Sequence, residues 1–158
     1  MPFIGIATHE QVNRHGQPIS PHWTIVLSNT PHFNDEVHCY HIVNQDPGWS
    51  KPPVRVRLLQ DSPTIIGIVL VAHVAQPMPE LDAYFAAAPL CYRQDRSGLF
   101  MWSCESWVIN ALSVLADAQP GLLPVRAEHV YERVHARIEE MRRLKRQSSS
   151  SRLVVTNL

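Results

Sequence analysis

The sequence predicts an α+β domain, a small antiparallel β-sheet with helices packed on it. Three observations predict it. Short β-branched and aromatic segments separated by turn residues fill the first half, and two segments of helical periodicity dominate the second. The 158 residues are 45% hydrophobic and 18% charged, which suits one folded core rather than a disordered chain.

The elements follow in order. Phe3 to Thr8 is short, apolar and β-leaning. Gln11 to Pro21 carries Asn13, Gly16, Pro18, Ser20 and Pro21 and reads as a loop. Trp23 to Leu27 is a strand, Asn29 to Glu36 a turn, and His38 to Val43 the returning strand of a hairpin. Asn44 to Pro53, with three prolines and a glycine, is a loop. Val54 to Leu59 alternates Val with Arg, the pattern of a strand with one wet face. After the break at Asp61-Ser62-Pro63, Thr64 to Val74 is almost wholly apolar and rich in Ile and Val, which predicts a central strand covered on both faces.

Pro79 to Ala88 predicts a short helix. Pro89 to Ser103 is a loop, and Ser103 can cap the helix behind it. On that helix Cys104, Trp107, Val108, Ala111, Leu112 and Leu115 form one apolar stripe, and Pro120-Gly121 ends it. A long charged helix follows, Arg126 to Arg146, with Val130, Val134, Ile138 and Met141 as a narrow stripe. A serine run begins after Gln147. Residues 1–147 are therefore expected as a single domain and 148–158 as a flexible tail.

Several function classes are disfavoured. Lys+Arg and Asp+Glu are 14 each, so there is no excess of positive charge to neutralise phosphates, and no nucleic-acid partner is expected. The longest apolar run, Ile65 to Val74, is half of what a membrane span needs. The opening residues lack a secretory pattern, and Cys39, Cys91 and Cys104 are too few and odd in number for a disulfide framework. Free thiols in a cytoplasmic protein are expected. No CxxC or HExxH motif is present, and His38 and His41 should diverge along their strand, so no metal site is expected.

The sharpest chemical signal is Cys104 at the first position of an amphipathic helix. A helix N-terminus stabilises a thiolate and can receive an oxyanion. By position alone Cys104 reads first as a small core residue, and His22 and His41 as polar surface residues. Yet His22 opens the strand His22-Trp23-Thr24-Ile25-Val26-Leu27 and His41 lies in the facing strand. Neighbouring strands lie close enough for two rings to touch, as base and orienter for a nucleophile.

The segments PHWTIVLSN, CYHIVN and WSCESWVINAL, in the order His, His, Cys, resemble the circularly permuted papain-like fold. That group includes lecithin:retinol acyltransferases, H-Ras-like-suppressor phospholipase/acyltransferases and permuted NlpC-type peptidases. The resemblance spans His22 to Leu115. It implies Cys104 as nucleophile, His22 as general base within hydrogen-bond reach of the thiol, and His41 as the third polar residue. Acyl transfer through an acyl-Cys104 thioester, by hydrolase or acyltransferase, without cofactor, is the implied activity. The substrate would be a small-molecule or carrier-bound acyl compound.

Trp23 and Trp107 read as core aromatics. Trp49 and Trp102 fall in loops near the expected mouth, and with Trp23 they are the candidate substrate-binding aromatics. The run Arg142-Arg143-Leu144-Lys145-Arg146 reads as a solvated helix end, with weak contact to an acidic partner as the alternative. The helix itself is expected to lie away from Cys104 and His22. A papain-like binding module that uses the cleft without catalysis is the rival class.

Overall fold

The middle of the sheet is made by the first strand of the chain. The computed structural model describes residues 1–45, 47–148 and 152–158. In chain order the elements are β1 (Phe3–Val12), β2 (Pro18–Ser28), β3 (Glu36–Tyr40), β4 (Val43–Gln45), β5 (Gly48–Ser50), β6 (Arg55–Leu58), a 3-10 turn (Leu59–Asp61), β7 (Ile65–His73), α1 (Met78–Ala87), α2 (Cys104–Ala118), α3 (Ala127–Gln147) and β8 (Val155–Asn157). Among the described residues the main sheet runs β6-β3-β2-β1-β7-β8, and β4 and β5 form a separate hairpin. The chain is α+β with a mostly antiparallel sheet.

The β1–β2 hairpin is longer than the sequence suggests. Loop chemistry at Asn13 to Gln17 builds the turn, where the Asn13 carboxamide accepts from the His15 and Gln17 amides. Pro18 to Pro21 then pairs rather than loops, because Pro sits at the strand's exposed start. The 44–53 stretch also holds order. Lys51 donates to the carbonyls of Phe85, Ala86 and Ala88 at 2.7 Å each. Those are the orphan acceptors at the end of α1. β6 is exposed at all four positions, so its alternation marks an edge strand rather than one buried face.

All three helices contribute to one core, on one face of the sheet. Ile4, Ile6, Trp23, Ile25 and Leu27 meet Leu81 and Phe85 of α1, Trp107 to Leu115 of α2, and the Val130–Met141 stripe of α3. The opposite face is covered over Ala7, Val26, Val37 and Cys39 by Phe33 and Leu59 from the connections. Gly67 lets α3 approach β7: a Cβ there would sit 2.5 Å from Met141 Sδ and 2.8 Å from the Val154 carbonyl.

The segment expected as a flexible tail is corrected in part. The serines 149–151 lie outside the described residues. Beyond them Val155–Asn157 forms β8, which pairs in parallel with β7, and Leu158 is buried in the helix-side core. The sheet is therefore not wholly antiparallel, and the domain extends past residue 147. The physical reason is the open edge of β7, whose amides and carbonyls need partners and find them in the apolar Leu153-Val154-Val155 end. Truncation after Gln147 should accordingly lower stability by about 2–4 kcal/mol, the range for removing a buried Leu together with its strand. An unchanged urea midpoint would return the segment to a tail.

Candidate active site

β2 offers one open edge. Its ladder with β3 begins only at Ile25↔Tyr40, whereas β1 already pairs it from Pro18 onward, His22 and Trp23 included. The N-terminus of α2 fills the gap. Ser103 caps the helix, its hydroxyl oxygen accepting from the Ser106 amide at 3.2 Å. The preceding loop is pinned to α2: the Arg96 amide donates to Asn110 Oδ1 at 2.8 Å, Asn110 Nδ2 donates to Asp95 at 2.8 Å, and Trp107 Nε1 donates to the Pro89 carbonyl at 2.9 Å. So fixed, the Cys104 thiol lies close to the backbone N–H groups of Trp23, the residue next to His22, and of Glu105 and Cys104.

Those amides do not set the charge of the sulfur. Burial pushes the Cys104 thiol up to about 11, with the Glu105 carboxylate adding in the same direction. The expected lowering by the helix N-terminus is therefore outweighed. The thiol is in the core rather than at a wet helix end, and desolvation of a thiolate exceeds what three amides return.

His22 and His41 come together. His22 Nε2 and His41 Nδ1 are 2.6 Å apart, with ring centroids at 4.9 Å and planes 67° apart. Burial first, and then the neighbouring His41, brings His22 down to about 4. Burial and the guanidiniums of Arg55 and Arg57 hold His41 below the usual imidazole range. Both rings are thus neutral at pH 7. Strand alternation turns the His22 ring away from the Trp23 ring, and it faces a cleft of about 310 Å³ on the helix-free side. The thiol lies on Trp23's side, at the strand edge. Among the described residues no hydrogen bond joins the Cys104 thiol to the His22 ring, and none engages His22 Nδ1.

No known family, curated protein or solved structure matches this chain.

The aromatic candidates divide. Trp23 is wholly buried, its ring 5.9 Å from Tyr131 and 5.8 Å from His135 of α3. It is core and offers no surface to a substrate, which corrects the substrate-binding expectation. Tyr131 and His135 also place α3 directly behind the site rather than away from it. Trp49 is half-buried in β5 and packs on the helix-side core. Trp102, also half-buried, lies beside Tyr92 at 6.3 Å, next to the capping serine. Neither lines the cleft that holds the histidines.

Two residues join the histidines that sequence reasoning passed over. His9 stands opposite His22 in the β1–β2 register, and Arg57 of β6 lines the same cleft. The Val/Arg alternation that predicted β6 already set Arg55 and Arg57 on one face. His38 binds Asp82 at 2.7 Å and Tyr40 donates to the same carboxylate, and among the described residues no group of three or more His, Cys, Asp or Glu side chains is placed to hold a metal ion. No helix among them is long and apolar enough to cross a membrane. The basic helix end is not fully solvated, since Arg142 clasps Glu10 through two bonds of 2.9 Å and also bonds Glu139 at 2.5 Å.

Thiol reactivity follows access rather than helix position. Cys91 is exposed, while Cys39 and Cys104 are buried. Iodoacetamide at pH 7 should label Cys91 first, at least tenfold faster than either. Peptide mapping that finds Cys104 as the fast thiol would show that burial does not govern it.

Proposed function

We propose that this chain is a cysteine-dependent acyl-transfer enzyme of permuted papain-like type. The observation that carries the reading is the place of Cys104 at the N-terminus of α2, close to the backbone N–H of Trp23, the residue next to His22. It seats a thiol at a helix N-terminus against the strand that carries His22, whose ring faces the other side of the sheet and is oriented by His41.

The chemistry follows from the proton positions. Moving a proton from a thiol at about 11 to an imidazole at about 4 is uphill by about 10 kcal/mol, so the resting pair is neutral. The thiol proton therefore leaves as the sulfur attacks. His22 Nδ1 takes it, sulfur bonds to the carbonyl carbon, and amides at the start of α2 receive the oxyanion. As the tetrahedral adduct collapses, the bond to the leaving group breaks and the leaving group takes the proton from His22. Water, an amine or an alcohol then attacks the acyl-Cys104 thioester, giving up its proton to His22, and the thiolate leaves and is reprotonated. His41 Nδ1 holds the His22 ring in orientation through Nε2. Reach from the cleft to the thiol runs around the open edge of β2, so substrate binding must swing the ring or part that edge.

The buried neutral thiol favours one rival, a binding module that uses the cleft alone. Incubation with a short-chain acyl thioester and intact-mass analysis separates the two. The enzyme reading expects one acyl group on wild type and none on Cys104→Ala. No adduct on wild type, or an equal adduct on Cys104→Ala, overturns it.

A further inference from the structure

We propose that Arg57 seats an oxyanion group of the substrate, a carboxylate or a phosphate, in the cleft that holds His22 and His41. The inference rests on the acyl-transfer reading for its role and extends it to substrate class. The cleft is lined by donors: the Arg57 guanidinium, the Thr24 and Thr64 hydroxyls and the rings of His9, His22 and His41. Its charges do not balance. Glu10 is the one carboxylate on its wall, and Arg142 clasps that carboxylate through two bonds. Arg57 pairs with no carboxylate among the described residues, and it lies near the Cys39 thiol and the rings of His9 and His41.

A second observation points the same way. His9 is 6% exposed and lines this cleft, yet its Nε2 is buried without a hydrogen-bond partner. Its Nδ1 is bonded to the Thr64 hydroxyl at 3.2 Å. In the tautomer whose Nδ1 accepts from that hydroxyl, Nε2 carries the proton and lacks an acceptor. Buried donors of this kind cost free energy unless satisfied. A planar guanidinium with an unused donor nearby matches a carboxylate or phosphate, whose oxygens accept several bonds at once. Sequence position supports access, because β6 is the exposed edge of the sheet and brings Arg57 to the cleft from the solvent side.

Two measurements test this. In the Cys104→Ala protein, the ring signals of His22 and His41 are followed by NMR during titration with inorganic phosphate and, separately, with glutarate. Saturable shifts by either are expected in the parent, at least tenfold weaker in Arg57→Gln; phosphate alone assigns a phosphate site and glutarate alone a carboxylate site. Turnover is then compared for glutaryl and valeryl thioesters of one thiol. The glutaryl/valeryl ratio of kcat/KM should fall at least tenfold in Arg57→Gln and recover partly in Arg57→Lys. No saturable shift with either anion, or shifts equal in Arg57→Gln, overturns the proposal. Saturable, Arg57-dependent shifts without any acyl-enzyme would leave the anion site standing and sink the acyl-transfer reading instead.

Discussion

Replacement of His22 by alanine should slow acyl-Cys104 formation by about 10²- to 10⁴-fold, the span a positioned general base supplies. Cys104→Ser should lose at least as much while keeping the urea midpoint, since the hydroxyl fits the volume of the thiol. The pH profile gives the sharper test. His22 must be neutral to accept the proton, and it is neutral above about 4. Acylation by wild type should therefore stay flat from pH 8 to pH 5 and fall only below that. An imidazole in water would lose its base near 6.5. A limb centred at pH 6–7 in single-turnover acylation would mean that His22 is not the base, or that the cleft is wet when it works.

The same burial makes acid the strongest destabiliser of the fold. His9 and His22 are both brought to about 4, burial being the first cause for each. Between pH 6.5 and 4 the unfolded chain binds a proton at each position and the folded chain does not. Stability thus rises with pH across that window and is lost as pH falls through it. One such group contributes a slope of about 1.4 kcal/mol per pH unit, and two approach twice that. His41 and His135 are also held below the usual range and add in the same direction. Urea midpoints measured at pH 7, 6, 5 and 4.5 should drop steeply below 6.5. In His9→Gln the slope should flatten by nearly half. A midpoint unchanged between pH 7 and 4.5 would show that these rings are protonated at no cost.

Much of this frame is legible in the residues. The expected Arg126 to Arg146 helix falls within a residue of the observed α3, the stripe from Cys104 places the start of α2 though its end comes at Ala118, and Ser103 caps where its hydroxyl predicts. His22 and His41 meet because β2 and β3 form a hairpin, although β3 ends at Tyr40 and leaves His41 just past the returning strand in which the sequence places it. What the residues hide is tertiary. The height of the Cys104 thiol's pKa depends on how tightly Trp23 and its neighbours exclude water, which no local pattern encodes. The separation of His22 and Cys104 across the edge of β2 depends on where β3 stops. β8 escapes because three residues, Val155 to Asn157, are too short to show a period and gain their order from the waiting edge of β7. His9 and Arg57 escape because they lie about fifty residues apart and meet only when β1 and β6 flank the same cleft.

The placement of β1 at the centre of the sheet carries a consequence for assembly. β1, β2 and β3 are joined by hairpins and can pair as soon as they are made, but the other side of β1 must wait for β7, more than fifty residues later. Pairings of such sequence separation are slow, because the loop must close before contacts reward it. β7 in turn keeps an open, apolar edge until Val155–Asn157 arrive as β8. During synthesis that edge is the surface most available to a neighbouring nascent chain, a window for aggregation that closes only when β8 docks.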